Sequence, residues 1–430
     1  MKLNQIRLKN YRNFEDYTLS LGKVATVLIG RNGMGKTNLL SGMVQALSFI
    51  FSKQRNTPQY DFINSSSQGV KRFLSSDPRY VNLQYTYPLS LTAEASLNDA
   101  IQPIHWSFEQ ESEKSGLKDS LFREAYHLFW GYYNDFQEKP LLAFFSDGFP
   151  HKETKISGKM NEKLDSGNPL PANTGYYQWD YEQSCVEIWK IYFAQEWFNK
   201  ASDPTKQTYI DAINTVFREF SEPINGTSNS ELQVSELFGK IINQKPKLMI
   251  RFADGRETQF DLMPAGYVRM FSIVFDLANR GFILNNNCSP EGIAFIDEID
   301  LHLHPSLASE ILPRLRRSFP RLQFIISTHS PLVITNFNQS EGEDGDFRLY
   351  QLKRNDEGYY SERVLDIFGL DYNSGLSNIM ETPISVEYSD SLIKAYQYWK
   401  GEDEEKASRI AELLRQKYSN NSFVINQLDL

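Results

Sequence analysis

The chain has 430 residues, which is more than one hydrophobic core of usual size, so the sequence predicts a main domain with an insertion or an appended domain. Hydrophobic residues make up 40% and charged residues 23% of the chain, and these ordinary proportions exclude a wholly disordered protein. The formal net charge of -9 excludes a surface that is basic throughout, but it leaves open a local cationic channel for DNA or RNA.

The two cysteines, Cys185 and Cys288, lie far apart and form no CxxC pattern. Neither a disulfide framework nor a zinc site is therefore expected, and a reducing compartment fits best. The N-terminus opens directly into an alternating strand pattern, and the apolar runs are far shorter than the roughly twenty residues that span a bilayer. We expect a soluble, cytoplasmic protein without a membrane partner.

The first elements predict an α/β fold. Leu3, Ile6 and Leu8 alternate with polar residues as in a strand, and residues 24–29 form an almost entirely apolar strand of the buried parallel type. Apolar residues then recur at helical spacing over 38–51. Strand, glycine-rich turn and helix thus follow one another.

A long insertion is predicted over 89–245, where aromatic residues are dense and Pro, Gly, Ser and Asn interrupt the pattern. Helical spacing appears over 121–133, 186–197 and 209–220, and a strand pattern over 140–145. We expect a mainly helical insertion after an N-terminal part of the main domain, 1–88.

The main domain is predicted to resume over 246–357. Apolar strands and amphipathic helices alternate there, which indicates a doubly wound sheet. The predicted elements are a hairpin at 247–260, a helix at 265–284, a strand at 292–296, a helix at 306–318 and a strand at 322–327. A helical tail, 358–430, is expected to follow, with helices near 390–399 and 402–418.

The strongest motif is the loop GRNGMGKT at 30–37, between a predicted strand and a predicted helix. Gly33 and Gly35 let backbone amides surround phosphate oxygens, Lys36 neutralises the terminal phosphates, and Thr37 offers a hydroxyl to Mg²⁺. The site is taken to include the adjacent Asn32 and Asn38. ATP and Mg²⁺ are therefore the predicted cofactors, and the alternative is an ordinary strand-to-helix turn.

A second motif places two carboxylates at the end of the apolar strand 292–296. Because successive strand residues point to opposite sides, Asp297 and Glu298 can serve different purposes. Asp297 suits the magnesium shell, and Glu298 suits the activation of water as a general base. The alternative is a strand end with two solvated acids.

A third feature is His329, which follows the apolar strand 322–327. Ligands of doubly wound sheets collect at the carboxyl ends of strands. A histidine at such an end can donate a hydrogen bond to the terminal phosphate. Alone, the residue would more often be a surface or core histidine.

Three segments carry a resemblance to a known family: IRLKNYRNF at 6–14, IDEIDLHLHP at 296–305 and STHSP at 327–331. With the phosphate loop they resemble the ABC-type ATPase heads of the RecF, SMC and overcoming-lysogenization-defect group. More narrowly, they look like ATPases of bacterial anti-phage systems, namely the Septu ATPase subunit and retron-associated ATPases. The resemblance implies an ABC-type head with the long helical insertion and the tail.

The resemblance also implies roles for single residues. Lys36 and Thr37 match the Walker A lysine and hydroxyl, Asp297 the Walker B aspartate, Glu298 the catalytic glutamate and His329 the switch histidine.

The parts of such a head that reach across a dimer match less closely. His304 falls where the D-loop contacts the opposite subunit, and Gly266 belongs to the signature segment 263–269, which approaches the partner's ATP. Pro264 stands where that segment usually has a serine. No residue is assigned to the Q-loop glutamine, for which Gln68 and Gln84 are the candidates.

By resemblance, the chain is an ATPase that forms a homodimer or higher homo-oligomer around ATP and controls a separately encoded effector, such as an HNH nuclease, in anti-phage defence. One alternative is a RecF- or SMC-like DNA-repair ATPase, for which a cationic tract is wanted. The best tract comprises Arg314, Arg316, Arg317 and Arg321, and its other interpretation is a solvated helix face. A second alternative is an OLD-like nuclease, but Asp344 and Asp346 look like a solvated turn.

Overall fold

The structure is a computed structural model. It describes residues 1–52, 69–98, 102–118, 120–133, 138–150, 156–180, 185–224, 232–340, 342–356, 358–365, 367–369, 387–417 and 428. Met1–Leu370 form one compact unit and Asp371–Leu430 form another. Within the described residues, no helix combines the length and apolar character needed to cross a membrane.

The strands and helices are numbered along the chain. The strands are β1 Lys2–Tyr11, β2 Phe14–Ser20, β3 Ala25–Ile29, β4 Tyr80–Val81, β5 Gln84–Tyr85, β6 Leu89–Ser96, β7 Ile104–Gln110, β8 Leu141–Phe145, β9 Val234–Ile242, β10 Lys245–Phe252, β11 Glu257–Gln259, β12 Gly292–Ile296, β13 Leu322–Ser327, β14 Phe347–Asn355 and β15 Gly358–Arg363. The helices are α1 Lys36–Leu47, α2 Ser120–Tyr133, α3 Gly158–Asp165, α4 Val186–Asn199, α5 Pro204–Ser221, α6 Ala265–Asn285, α7 Pro305–Ala308, α8 Ile311–Ser318, α9 Pro331–Thr335, α10 Glu387–Trp399 and α11 Glu404–Lys417.

The central sheet has six strands in the order β15-β14-β3-β13-β12-β8. All neighbours are parallel except β14 and β15, which form an antiparallel pair at one edge. Every residue of β3, β12 and β13 is buried, as expected for parallel strands covered on both faces. The carboxyl ends of five parallel strands therefore meet at one edge of the sheet.

A second, antiparallel sheet has the order β2-β1-β6-β7. The predicted first strand is confirmed, and Leu3, Ile6 and Leu8 are all fully buried. Residues 3 and 6 can lie on the same face because the register with β6 shifts between Leu3 and Gln5. An extra residue of this kind restores the alternation that a regular strand would break.

The segment 89–245 is less separate from the main domain than its composition suggests. Its strands β6 and β7 extend the sheet that contains β1, and β8 is the neighbour of β12 in the central sheet. The indole of Trp106 donates to the Ala46 carbonyl at 2.7 Å, and that of Trp130 donates to the Ile50 carbonyl at 2.8 Å. The aromatic residues thus anchor the segment beside α1, and the structure has no break at 88.

Most predicted helices and strands of the main domain are confirmed, with three differences. The helix predicted at 306–318 is divided into α7 and α8, and β2 and the β14–β15 hairpin were not predicted. Because β15 belongs to the central sheet, residues 358–363 lie in the first unit and not in the tail. In the second unit, α10 and α11 pack around a small core that includes Ile393 and Leu414.

Candidate nucleotide site

The phosphate loop connects β3 to α1, as predicted. Gly33 and Gly35 have φ angles of 81° and 91°, which L side chains rarely adopt. Gly35 also lies close to Asn13, whose Nδ2 would be 2.4 Å from a Cβ at that position. The glycines are thus required for two reasons, namely backbone conformation at both positions and close packing at residue 35.

Lys36 is almost fully buried at the start of α1, with 6% of its surface exposed. Its Nζ donates to the Gly30 carbonyl at 2.8 Å and to the Arg31 carbonyl at 3.4 Å. Burial lowers the pKa of Lys36 to about 8, although Asp297 and Glu298 oppose this shift. The ammonium group is therefore held over the loop by the loop's own carbonyl groups.

Thr37 and Asp297 bring two of the predicted motifs together. The Thr37 hydroxyl donates to Asp297 Oδ2 at 2.7 Å. Asp297 follows β12 directly and has only 1% of its surface exposed. Its other oxygen accepts a hydrogen bond from the Ser327 hydroxyl. The carboxylate is thus fixed at both oxygens.

Glu298 turns away from β12 with a φ of 50°, a left-handed conformation that is uncommon for residues other than glycine. Its backbone N–H donates to the Ser327 hydroxyl at 2.8 Å. Burial raises the pKa of Glu298, and the charges of Asp297 and Asp147 add to the increase. Asp297 and Glu298 therefore occupy distinct environments.

His329 lies beside Glu298, where Nε2 is 4.0 Å from the Glu298 Oε1. Burial lowers the pKa of His329 and the charge of Lys36 lowers it further. The lowered pKa favours the neutral imidazole, which has one N–H to donate. The structure brings Lys36, Thr37, Asp297, Glu298 and His329 to the same edge of the sheet.

Arg269 lies at the end of the signature segment 263–269, but its role in this site was not predicted. It lies on α6 with 2% of its surface exposed, and the acceptors of its guanidinium among the described residues are backbone carbonyls. The acceptors are Ser146 at 3.1 Å, Asp147 at 3.0 Å, Phe149, Asp297 at 2.7 Å and Glu298 at 3.3 Å. It thereby joins α6 to the ends of β8 and β12. The sequence feature that could have identified Arg269 is the presence of a charged residue within the apolar run of a predicted helix.

Gly266 is buried at the start of α6, where a Cβ would be 2.2 Å from the carbonyl oxygen of His302. The residues exposed at this helix end are Pro264 and Ala265. Gly266 therefore permits α6 to approach the loop that follows β12.

Two other predicted residues have local structural contacts. His304 is exposed, and its Nδ1 lies 2.9 Å from the Ser306 hydroxyl at the start of α7. The Asn38 amide donates to Asn13 at 2.8 Å, and its oxygen accepts from Arg12 at 2.9 Å. The Asn38 side chain is thus engaged by the turn between β1 and β2. Asn32 lies exposed in the phosphate loop.

Of the two candidates for the Q-loop, only Gln84 can be placed in the structure. Gln84 belongs to the β4–β5 ribbon, and Gln68 lies outside the described residues. Beside β12, the chain leaves β8 through Ser146 and Asp147. The charge of Asp147 contributes to the raised pKa of Glu298, so an aspartate stands at this end of the sheet.

Residues 1–334 match the AAA ATPase domain family, which covers most of the chain. The chain belongs to this family. It is an ATPase with a P-loop, and the predicted α/β head is confirmed.

The relatives of this ATPase include proteins of bacterial retrons. It is 25% identical over 440 residues to the Retron Vc95 probable ATPase of Vibrio cholerae serotype O1 biovar El Tor, covering 91% of this chain and 78% of that protein. It is 23% identical over 394 residues to the Retron Ec83 probable ATPase of Escherichia coli, covering 77% and 69%. Septu protein PtuA of Bacillus mycoides (strain KBAB4) is 34% identical over 116 residues, which are 24% of this chain and 16% of that protein. The predicted relationship to the retron and Septu ATPases is confirmed.

Proposed function

We propose that this ATPase dimerises around ATP and Mg²⁺, and that hydrolysis opens the dimer and thereby controls a separately encoded effector in anti-phage defence. The likeness to retron and Septu proteins supports the defence role. An HNH nuclease is the first candidate for the effector, by the resemblance to Septu. The observation that carries the ATPase part is the convergence of the phosphate loop with Asp297, Glu298 and His329 at one sheet edge.

Nucleotide binding is assigned to the phosphate loop. The terminal phosphates replace the carbonyl groups of Gly30 and Arg31 as partners of the Lys36 ammonium. Amides at the start of α1 add donors, and the positive end of the helix dipole favours the anion. Because Lys36 is buried, its charge acts on the phosphates with little screening by water.

The residues at Thr37 and Asp297 fit Mg²⁺, because a hydroxyl and a carboxylate oxygen lie 2.7 Å apart at the end of the loop and Mg²⁺ prefers such oxygen ligands. When bound, the ion neutralises phosphate charge during transfer of the terminal group to water. Thr37 and Asp297 would hold it, and Ser327 keeps Asp297 oriented.

Glu298 and His329 are assigned to the hydrolytic step. A carboxylate with a raised pKa accepts a proton from water more readily than an ordinary one. Glu298 would take that proton, while the neutral His329 would donate its N–H to the terminal phosphate. The 4.0 Å between these side chains lets both reach the same reacting group.

The exposed start of α6, at Pro264 and Ala265, is assigned to contact with the nucleotide of a second copy. Its amide groups and helix dipole supply the donors, since the usual serine is absent. The carbonyl group of His302, in the loop after β12, packs against Gly266. A movement of this end of α6 would therefore displace that loop.

The RecF-type alternative gains no support from the four arginines of the candidate cationic tract. Arg314 is buried and bonded to Glu310 at 2.7 Å, and Arg317 donates to the Glu222 carbonyl at 2.6 Å. Arg316 lies over the Phe347 ring at 4.4 Å. Arg321 contacts Glu138 and donates to the Ser289 carbonyl. These contacts hold the fold together and do not form a free cationic tract.

The nuclease alternative depends on acidic residues near 344–346. Asp344 is exposed and lies 3.7 Å from Arg363, and Asp346 accepts from the Glu343 N–H at 3.0 Å as in a turn. The described ranges contain no group of three or more His, Cys, Asp or Glu residues able to hold a metal ion. No observation therefore favours this function over the ATPase.

The proposal is tested with Lys36→Ala and the matched control Lys9→Ala, which changes an exposed strand lysine. Loss of the buried cation should weaken ATP binding by roughly 100-fold, and the control should bind normally. In cells that carry the chain with its neighbouring genes, Lys36→Ala should abolish protection against phage in a plaque assay. Normal ATP binding by Lys36→Ala would refute the site, and full protection by this variant would refute the proposed control of defence by ATP.

A further inference from the structure

Ser327 is the last residue of β13, and none of its surface is exposed. Its hydroxyl donates to Asp297 Oδ1 and accepts the backbone N–H of Glu298 at 2.8 Å. Its own carbonyl accepts the N–H of Ile299 at 3.1 Å. One residue of the neighbouring strand therefore contacts three consecutive residues at the end of β12.

The two hydroxyl bonds have a fixed direction. A serine hydroxyl has one proton and two lone pairs, and an ionised carboxylate can only accept. The proton must therefore go to Asp297, which leaves a lone pair for the Glu298 amide. The oxygen that Thr37 does not contact is satisfied in this way.

The bond to Glu298 has a second consequence, because Glu298 has a φ of 50°. Such a conformation persists in a residue other than glycine when its surroundings hold it. The Ser327 hydroxyl supplies the hydrogen bond that holds the amide. Together with Arg269, which donates to the Glu298 carbonyl at 3.3 Å, this oxygen thus fixes the direction in which the Glu298 side chain leaves the backbone.

We propose that Ser327 is a positioning residue for ATP hydrolysis, which holds Asp297 in the orientation for Mg²⁺ and Glu298 in the orientation for water. The inference rests on the proposed function of these two acids. Ser327 lies two positions before His329, and Ile326 pairs with Ile296 in the sheet. A phosphate that displaces His329 would therefore also shift the Ser327 hydroxyl and its hydrogen bonds to Asp297 and Glu298.

The neighbouring hydroxyl cannot replace that of Ser327. Thr328 donates to Asp300 and accepts the N–H of Ser330 at 2.9 Å. It therefore ties the chain after β13 to the loop beyond Glu298, and it has no bond to either acid among the described contacts. The two hydroxyls act on successive parts of the same loop.

Ser327→Ala tests the inference, and Ser272→Ala is its matched control. Ser272 is also fully buried, but its hydroxyl has no hydrogen-bond partner among the described residues. ATP turnover is measured against ATP and against Mg²⁺, and ATP binding is measured in EDTA. A third variant, Ser327→Thr, keeps the hydroxyl.

Loss of a hydrogen bond to a charged group corresponds to about a 10- to 100-fold effect, so Ser327→Ala should lower kcat by about that factor. It should also need more Mg²⁺ for half-maximal turnover, while its ATP binding in EDTA stays unchanged. Ser327→Thr should recover much of the activity, and Ser272→Ala should behave like the unaltered chain. An unchanged kcat and Mg²⁺ requirement in Ser327→Ala would overturn the inference, as would an equal loss in Ser272→Ala.

Two further comparisons keep the outcome decisive. If Ser327→Ala does not fold, Ser327→Thr and Ser327→Val are compared, since they have similar shapes and differ in the hydroxyl. Equal activity in this pair would overturn the inference. If the unaltered chain itself does not hydrolyse ATP, the proposed function fails, and the Mg²⁺ dependence of ATP binding in Ser327→Ala still decides whether Ser327 orients Asp297.

Discussion

Thr37 and Asp297 are joined by a 2.7 Å hydrogen bond, although 260 positions separate them in the chain. The contact aligns the first turn of α1 with the end of β12. Neither residue is near the other in sequence, and each follows a buried strand of the same sheet. The geometry of the proposed reaction depends on this alignment.

Glu298→Gln should retain ATP binding and lose turnover. The amide has the size of the carboxylate but cannot accept a proton, so kcat should fall by roughly 100-fold or more. With ATP and Mg²⁺, the variant should remain a dimer for longer, as measured by light scattering during size-exclusion chromatography. Glu291→Gln, a change outside the site, serves as the control. Normal turnover by Glu298→Gln would exclude its role as the base.

ATP binding should weaken as the pH rises through about 8, the pKa to which burial lowers Lys36. Phosphate favours the charged ammonium, so the bound state has the higher pKa. Affinity is therefore constant below the lower pKa and falls above it, by up to about tenfold per pH unit. Titration of a fluorescent ATP analogue in EDTA measures this. In Lys36→Arg the guanidinium stays protonated, so the affinity of this variant for the ATP analogue should not fall over the same pH range. An affinity of the unaltered chain that does not change with pH would contradict the prediction.

Arg269→Lys should reduce both stability and turnover. An ammonium group cannot reach the five carbonyl groups that the planar guanidinium contacts. Buried carbonyls left without donors should lower the free energy of unfolding by about 1–3 kcal/mol. Denaturant unfolding and ATP turnover are measured together. Arg256→Lys, at an exposed arginine paired with Asp254, should be close to neutral, and equal behaviour of the two variants would refute the special position of Arg269.

Gly266→Ala should disturb the contact between α6 and the loop after β12. The added methyl group would lie 2.2 Å from the His302 carbonyl, so either segment must move, at a cost of about 1–3 kcal/mol. Gly131→Ala is the opposite case, because that helical position is open and alanine should stabilise it by about 0.5–1 kcal/mol. Thermal unfolding distinguishes the two. Equal or higher stability of Gly266→Ala would show that the close approach is unimportant.

The phosphate loop could be predicted because its requirement is local. Gly33 and Gly35 adopt a backbone conformation that their own residue type allows, and the strand before them is almost entirely apolar. Asp297 and His329 could likewise be placed at strand ends, because β12 and β13 consist of buried residues throughout. The common edge of a parallel sheet then brings these positions together.

Other features depend on contacts that local sequence does not specify. Arg269 contacts backbone groups more than a hundred positions away, and nothing in its neighbours identifies them. Leu89 and Leu91 alternate with polar residues in β6, a pattern that indicates a strand. This strand is missing from the predicted elements because aromatic residues are dense in the surrounding segment. In β14, the polar residues Arg348 and Gln351 interrupt the apolar pattern, although the strand lies next to β3.

The buried guanidinium of Arg269 lies within electrostatic range of four carboxylates, those of Asp147, Asp297, Glu298 and Asp300. It is thus a counter-ion that belongs to the protein itself, whereas the proposed Mg²⁺ would arrive and depart with the nucleotide. When the nucleotide and its ion leave, the guanidinium would still partly compensate the mutual repulsion of the carboxylates. We therefore expect the loop after β12 to keep its shape between two rounds of the proposed ATP hydrolysis.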